Sequence, residues 1–247
     1  MNPVIETLKN HRSYRKYSQK PVSADKLEAI IEAAQAAPSW VNGQQVSIII
    51  IQDKNRKEQL AKLCGNQKHI NEAPLFLIFC ADFYRAKLAG DMENAELEAL
   101  NDVDALLVGA TDVGLALANS IAAAESLELG TVPIGGIRRN SLQVIDFLQL
   151  PKYVVPISGL CLGYPAEDPG VKPRLPKESI MHKEIYNKEQ LPFLQSYNET
   201  FKSYLKGRGD MEANWTDRVA SFYSKSYYPS NADMLKKQGL LAKDLSK

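Results

Sequence analysis

The sequence has little cysteine, almost no net charge and no long apolar run. Its three cysteines, Cys64, Cys80 and Cys161, lie far apart. That spacing excludes a disulfide framework and any recognisable metal-ligand pattern, and so sparse an odd count suits a reducing compartment. Lys and Arg number 30 against 29 Asp and Glu, a net charge of +1, so no global field favours nucleic acid or a membrane surface as partner. No stretch of about 18 apolar residues occurs, which argues against a membrane span. The start, MNPVIE, has neither a basic n-region nor an apolar h-region, and a cytoplasmic protein is expected. Serine-hydrolase G-x-S-x-G, zincin H-E-x-x-H and phosphate-loop lysine motifs are missing, so those chemistries have no support. His69 and His182 have no metal partners at recognisable spacing, and no metal is expected.

What is present reads as a soluble globular chain with a sizeable core: 45% of its residues are apolar and 24% charged. Asn2 can cap a helix that starts at Pro3 and ends near Asn10. A second helix opens at Ser23 and carries Leu27, Ile30, Ile31 and Ala34 at helical spacing until Pro38 stops it. VSIIIIQ (residues 46–52) reads as a buried strand, Lys54 to Leu63 as a helix, and Pro74 to Ala81 as a second buried strand. Leu88 to Asn101 is acidic and reads as surface helix or loop. Ala105 to Leu129 is apolar on nearly every face. It predicts a helix buried all round, in a core or a subunit interface, with Gly130 ending it. A short strand over Thr131 to Ile134, a helix capped by Asn140 or Ser141, and a third buried strand over Val154 to Leu162 follow. Residues 163–178 are rich in Gly, Pro and Lys, and the remainder reads as helices and loops packed on the core or on a partner subunit. Helices alternating with a few buried strands indicate α+β or α/β.

Chemistry concentrates in short segments. His11-Arg12-Ser13-x-Arg15 places forked guanidinium donors and a hydroxyl at a helix end, which suits an anionic ligand; a solvated basic loop has the same look. Pro38-Ser39-Trp40-Val41-Asn42-Gly43-Gln44-Gln45 offers neutral donors and acceptors, as a heteroaromatic ring with polar edges requires, or else forms a capping turn. At Pro133-Ile134-Gly135-Gly136 the paired glycines allow close backbone approach to a ligand, or a plain turn. Lys172-Pro-Arg174-Leu-Pro176 is a stiff basic strip, or a surface linker. Gln67-Lys-His69 adds a polar segment after Gly65.

Taken in order, these segments resemble the nitroreductase and flavin reductase family. The nearest branch is that of the NADPH-dependent FMN oxidoreductases, which includes oxygen-insensitive nitroreductases. The likeness runs over nearly the whole chain. It includes Ala122-Ala-Ala-Glu-Ser126, Ile134-Gly-Gly-Ile-Arg138, Gly159-Leu-x-Leu-Gly163, Tyr204 to Arg208 and Trp215-Thr-Asp217. The resemblance implies an α+β sandwich, with a central, mostly antiparallel sheet flanked by helices. It implies a single domain over 1–247, residues 190–247 forming a helical C-terminal extension. It further implies an intertwined homodimer with the long helix at the interface and two FMN sites between the subunits. His11, Arg12, Ser13 and Arg15 would hold the FMN phosphate, ribityl chain and ring edge, with Lys172 and Arg174 adding charge at the phosphate and pyrimidine side. Ser39, Asn42, Gln44 and Gln67 would contact the ring, and Pro133, Ile134, Gly135 and Gly136 its other face. Lys206 and Arg208 would hold the nicotinamide donor.

The implied reaction is two-step hydride transfer through flavin N5, from NADPH or NADH to nitroaromatics, quinones, azo compounds or free flavin, with no catalytic side chain nominated. A dedicated reductase of another acceptor and a flavin-binding sensor or storage protein remain as alternatives. Two features depart from the branch. Trp40 stands in a loop that is commonly serine-rich. Asp210 and Glu212 stand where further basic residues are expected beside Arg208, and carboxylates there repel a 2′-phosphate.

Overall fold

The computed structural model describes residues 2–241. It falls into two compact units. One runs from the N-terminus to Pro169 and takes up Tyr228 onward; the other is Gly170–Tyr227. Of the expected extension over 190–247, residues 242–247 lie outside the described residues.

The first unit is built on a four-stranded sheet of β1 (Val46–Ile51), β2 (Leu75–Asp82), β3 (Gly130–Ile134) and β4 (Val154–Gly163), in the order β1-β2-β4-β3. Every neighbouring pair is antiparallel, which settles the class as α+β. Strand β2 is buried along its whole length, and its alternation sends side chains into two cores. Leu75, Leu77, Phe79 and Ala81 meet Ile30, Val113 and Ala116 on one face; Phe76, Ile78 and Cys80 meet Leu60, Ile70 and Ile137 on the other. Helices α2 (Ala24–Gln35) and α6 (Val103–Ser126) therefore cover the first face. Helices α3 (Lys54–Leu63), α4 (Lys68–Glu72) and α7 (Ser141–Leu148) line the second. Before them, α1 (Pro3–Lys9) is capped by the Asn2 side chain, and α3 by Asp53, which accepts from the Arg56 amide at 2.8 Å. Helix α5 (Tyr84–Glu93) and a 3-10 turn at Glu98–Asn101 occupy the acidic stretch, and the turn buries Leu100.

Three expectations need correction. The long helix is not buried all round within one chain. It buries Gly109, Asp112, Val113, Ala116, Ser120 and Ala124, while Val103, Leu107 and Leu115 stay exposed. By length and hydropathy α6 could cross a membrane, but its packing on α2 and the sheet and its buried Asp112 mark it as a core helix. Second, α6 ends at Ser126, and the left-handed turn after it is made by Glu128 (φ 66°). Gly130 is the first residue of β3, and its hydrogen is needed for space: a Cβ there would lie 2.6 Å from Cγ of Tyr14. Third, β1 is an edge strand, so the run expected to be buried leaves Ile50 exposed.

The second unit contains α8 (Leu191–Gly207) and α9 (Trp215–Tyr223). They close over a small core of Tyr197, Phe201 and Leu205, with Trp215 edge-on to Tyr197 at 5.7 Å. Helix α10 (Asn231–Lys237) belongs to the first unit, where the Gln238 amide donates to the carbonyls of Pro151 and Val154 at 2.7 and 2.6 Å. Gly130→Ala should destabilise the protein by about 1–3 kcal/mol, the usual result of overpacking, measured by urea unfolding. An unchanged midpoint would show that Tyr14 can move aside.

Candidate active site

The segment after α1 is stitched to the edge of the sheet. The Tyr14 amide donates to the Thr131 carbonyl at 2.9 Å, Ser13 forms a single parallel bridge with Thr131, and Tyr17 pairs with Pro165. Tyr17 is buried, and burial raises its phenol far above the ordinary range. On this framework residues 11–14 are half-buried and Arg15 is exposed. Glu125, at the end of α6, holds His11: its Oε1 lies 2.7 Å from Nδ1 of His11 and accepts from the Thr131 hydroxyl at 2.8 Å. Arg12 donates through Nε to the Asn10 carbonyl at 3.2 Å and through Nη1 to both oxygens of Asp168 at 2.7 and 2.8 Å. That bond to Asp168 is the main cause raising the Arg12 pKa above its ordinary value. Arg15 is exposed and reaches only as far as the Ser13 carbonyl, at 3.4 Å.

Two further segments join this neighbourhood. Gln67 donates to the Cys64 carbonyl at 2.9 Å, and its Nε2 lies 2.3 Å from where a Cβ on Gly136 would stand. The Cys64 backbone carbonyl would lie 2.7 Å from the same Cβ, so position 136 has room only for glycine. Ile134 and Gly136 are buried, whereas Pro133 and Gly135 are exposed. The open side of Gly135 meets only the far end of Arg138, at 3.7 Å. His69 follows on α4, its Nε2 buried with no hydrogen-bond partner. Burial lowers its pKa first, and the charge of Arg15 lowers it further.

Ser39, Asn42 and Gln44 lie elsewhere in the same unit. They line a cleft of about 530 Å³ with Arg85, Asp112 and residues of α2 and β1. Their loop leads into Val46 of β1, at one edge of the sheet. Ser13 meets Thr131 of β3 at the other edge, and the register puts Thr131 beside Leu162 and Leu75, near the opposite end of β1. Three strand spacings across and about six residues along separate the two corners by roughly 20–25 Å. One chain therefore does not bring these two groups of candidate residues together.

In the second unit Lys172 and Arg174 are exposed, and Arg174 donates to the Lys172 carbonyl at 2.9 Å. Both border a cleft of about 630 Å³ walled by Tyr197, Phe201 and Trp215. Lys206 and Arg208 lie at the end of α8. Arg208 stacks on the Tyr204 ring at 5.6 Å, donates to its hydroxyl at 3.2 Å and lies 3.4 Å from Asp210. Glu212 is exposed nearby in the chain. No cluster able to hold a metal ion occurs among the described residues.

Sequence reasoning missed four residues that hold these segments: Arg85, Asp112, Glu125 and Asp168. Asp112 had a signal, as a lone acid in the middle of an apolar helix. Glu125 lies in the Ala122–Ser126 segment without any hint of its partner. Asp168 pairs across 156 positions and Arg85 across 41, and no local pattern announces such pairs.

Comparison with known proteins places the family and the fold. The pattern described as "Nitroreductase family" matches residues 8–164, and "Nitroreductase family, C-terminal domain" matches residues 172–243. A Bacillus subtilis protein named FMN reductase [NAD(P)H] is 49% identical over 97% of this chain and 98% of its own. The solved structure of B. megaterium NfrA2 has a TM-score of 0.96 at 48% identity, covering 97% of this chain and 98% of that one. The NADPH:FMN oxidoreductase from Vibrio harveyi, solved in complex with NAD+, has a TM-score of 0.88 at 34% identity, over 97% and 99% of the two chains. With both family patterns in place and relatives of this closeness along almost its entire length, the chain belongs to the nitroreductase family.

Proposed function

We propose that the protein is a cytoplasmic, homodimeric FMN-dependent NAD(P)H oxidoreductase that reduces nitroaromatics, quinones, azo compounds or free flavin. The observation that carries this reading is the neighbourhood at the β3 edge, where Arg12, Ser13, Arg15, Gln67 and the open Gly135 backbone lie together. Its chemistry fits the cofactor. Guanidinium and hydroxyl donors match phosphate oxygens, the neutral amide of Gln67 matches the polar edge of a ring, and the orphaned His69 Nε2 lacks a partner that a ligand can supply. The assignment of Lys172 and Arg174 to the same ligand rests on the family resemblance alone.

FMN, when bound, would supply the redox chemistry of hydride transfer between the nicotinamide and the second substrate. The chain's own residues bind and orient. Asp168 and the Asn10 carbonyl fix Arg12 through Nη1 and Nε, and Glu125 fixes the ring of His11. Cations near a ring that gains negative charge favour the charged form. Ser39, Asn42 and Gln44 lie too far away to contribute to the same site within one chain; a second copy would supply them. The exposed apolar side chains of α6 give such a copy a surface to cover. The free thiols of Cys64, Cys80 and Cys161 are buried, and burial pushes those of Cys64 and Cys80 up to about 12. They take no part in the chemistry and suit a reducing cytoplasm.

The purified protein should show oxidised-flavin absorbance that bleaches with NADPH or NADH in the absence of oxygen. A colourless protein that takes up no added FMN would overturn the assignment. Arg12→Ala should weaken FMN binding about tenfold, the loss expected for a charge-assisted hydrogen bond, read from quenching of flavin fluorescence. Equal affinity in both proteins would remove Arg12 from the site.

His69 should titrate below its ordinary 6.5 in the free protein. Because its folded pKa is depressed, its stability contribution is present above pH 6.5 and is lost as pH falls below that value. Proton NMR should show its midpoint rising when inorganic phosphate is added to neutralise Arg15. An ordinary midpoint that phosphate does not move would separate His69 from the anion site.

Arg208 beside Asp210 implies a weakened grip on a 2′-phosphate. Asp210→Asn should raise the ratio of kcat/KM for NADPH over NADH by about three- to tenfold, as removal of one like charge predicts. No change in that ratio would place the nicotinamide phosphate elsewhere.

A further inference from the structure

The loop before β1 is held in a conformation that its residues do not favour. The backbone is left-handed at Val41 (φ 48°), Asn42 (φ 55°) and Gln44 (φ 51°). For β-branched Val41 this is a genuine outlier. Asn42 tolerates that region, as asparagine commonly does, whereas Gly43 does not use it and has a φ of −71°. It is glycine for space, since a Cβ there would stand 2.1 Å from Oε1 of the buried Gln45. Strain of this kind persists only where the surroundings over-determine it.

The surroundings hold both ends. Asp112 is 3% exposed in the middle of α6, and both its oxygens accept from the Trp40 amide, at 3.2 and 3.3 Å. At the other end, Arg85 of α5 donates to the carbonyls of Gln44 at 2.7 Å and Val46 at 2.8 Å. Arg85 is itself braced at 3.0 Å by Asp82 and by the Ser47 hydroxyl. Within the loop, the Ser39 hydroxyl accepts from the Gln44 amide at 3.0 Å. Held in this way, the loop pushes Trp40 and Val41 outward, 62% and 82% exposed. A loop that only joined α2 to β1 would need neither left-handed valine nor large apolar side chains at its tip.

We propose that Asp112 and Arg85 are positioning residues: they hold the strained Ser39–Gln44 loop in the shape that contacts the flavin ring bound by a second copy of the chain. The inference rests on the flavin-site reading above and adds the device that presets half of that site. Asp112 acts from the buried face of α6, so the helix that bears the exposed apolar surface also fixes the ring-contact loop. Loss of either clamp lets the loop relax, and Ser39, Asn42 and Gln44 move off the ring together.

The test compares full-length wild type with Asp112→Leu, Asp112→Asn and Arg85→Met. FMN affinity is read by fluorescence titration, the setting of the bound ring by visible-region circular dichroism, and KM and kcat with a nitroaromatic. Asp112→Leu and Arg85→Met should weaken FMN binding about tenfold, on the scale of a lost hydrogen bond to a charged group. They should also change the visible dichroism and raise the nitroaromatic KM more than they lower kcat. Asp112→Asn keeps an acceptor for the Trp40 amide and should stay within about twofold of wild type on the same scale. If Asp112→Leu does not fold, Arg85→Met carries the test, because that side chain is 49% exposed. Folded variants with wild-type FMN affinity and dichroism would overturn the proposal, as would Asp112→Asn behaving like Asp112→Leu. A wild-type chain that binds no FMN would instead overturn the flavin reading, and this inference with it.

Discussion

Strand β2 has no exposed residue from Leu75 to Asp82, and a strand dark on both faces needs a packed layer on each side. That requirement organises the first unit. Phe76 and Phe79, both fully buried, point to opposite faces and anchor separate cores, each worth several kcal/mol in the burial of aromatic surface alone. With the middle of the sheet closed in this way, polar chemistry is confined to its rims. The basic segment runs beside β3 at one rim, and the neutral loop enters β1 at the other. The antiparallel order β1-β2-β4-β3 is thus what sets the two halves of the candidate site apart.

The separation gives α6 two tasks. Its inner face holds the core through Val113, Ala116 and Ala124, and also presents Asp112 to the Trp40 amide and, from its last turn, Glu125 to His11. Its outer face keeps Leu107 and Leu115 in solvent within a single chain. A helix fixed by the core thereby touches both rims, and whatever covers its outer face is linked mechanically to both candidate segments.

Local signals made much of this legible in the sequence. The alternation-free apolar runs of β2 and β4, the helix over Lys54–Leu63, and the helix opened by Ser23 all depend on neighbours a few residues apart. The basic segment and the glycine pair were also visible as chemistry. What was not visible depends on distant contact. Gly130 read as a helix cap because the approach of Tyr14 is a tertiary fact. The left-handed backbone at Val41 contradicts the preference of valine and is imposed by Asp112 and Arg85. Glycines next to such sites mislead for the same reason: besides their place in short turns, Gly43 and Gly136 are crowded by Gln45 and by the Cys64 carbonyl and Gln67.

A chain with a net charge of +1 can still offer a strong local site for an anion, because its cations are kept in order by carboxylates. Arg12 is held by Asp168, Lys16 by Glu167 at 2.9 Å, and Arg208 lies beside Asp210. Such pairs contribute only about 0–1 kcal/mol each when exposed, and Asp168 is 67% exposed. They are therefore too weak to exclude a phosphate dianion, yet strong enough to limit the rotamers of a long side chain before the ligand arrives. In the proposed flavin site, ordering Arg12 in advance would reduce the entropy lost on binding. The same arithmetic works against the second unit's cation. Asp210 follows Arg208 by only two residues and lies 3.4 Å from it, so under the proposed nicotinamide role its negative charge would oppose an incoming 2′-phosphate.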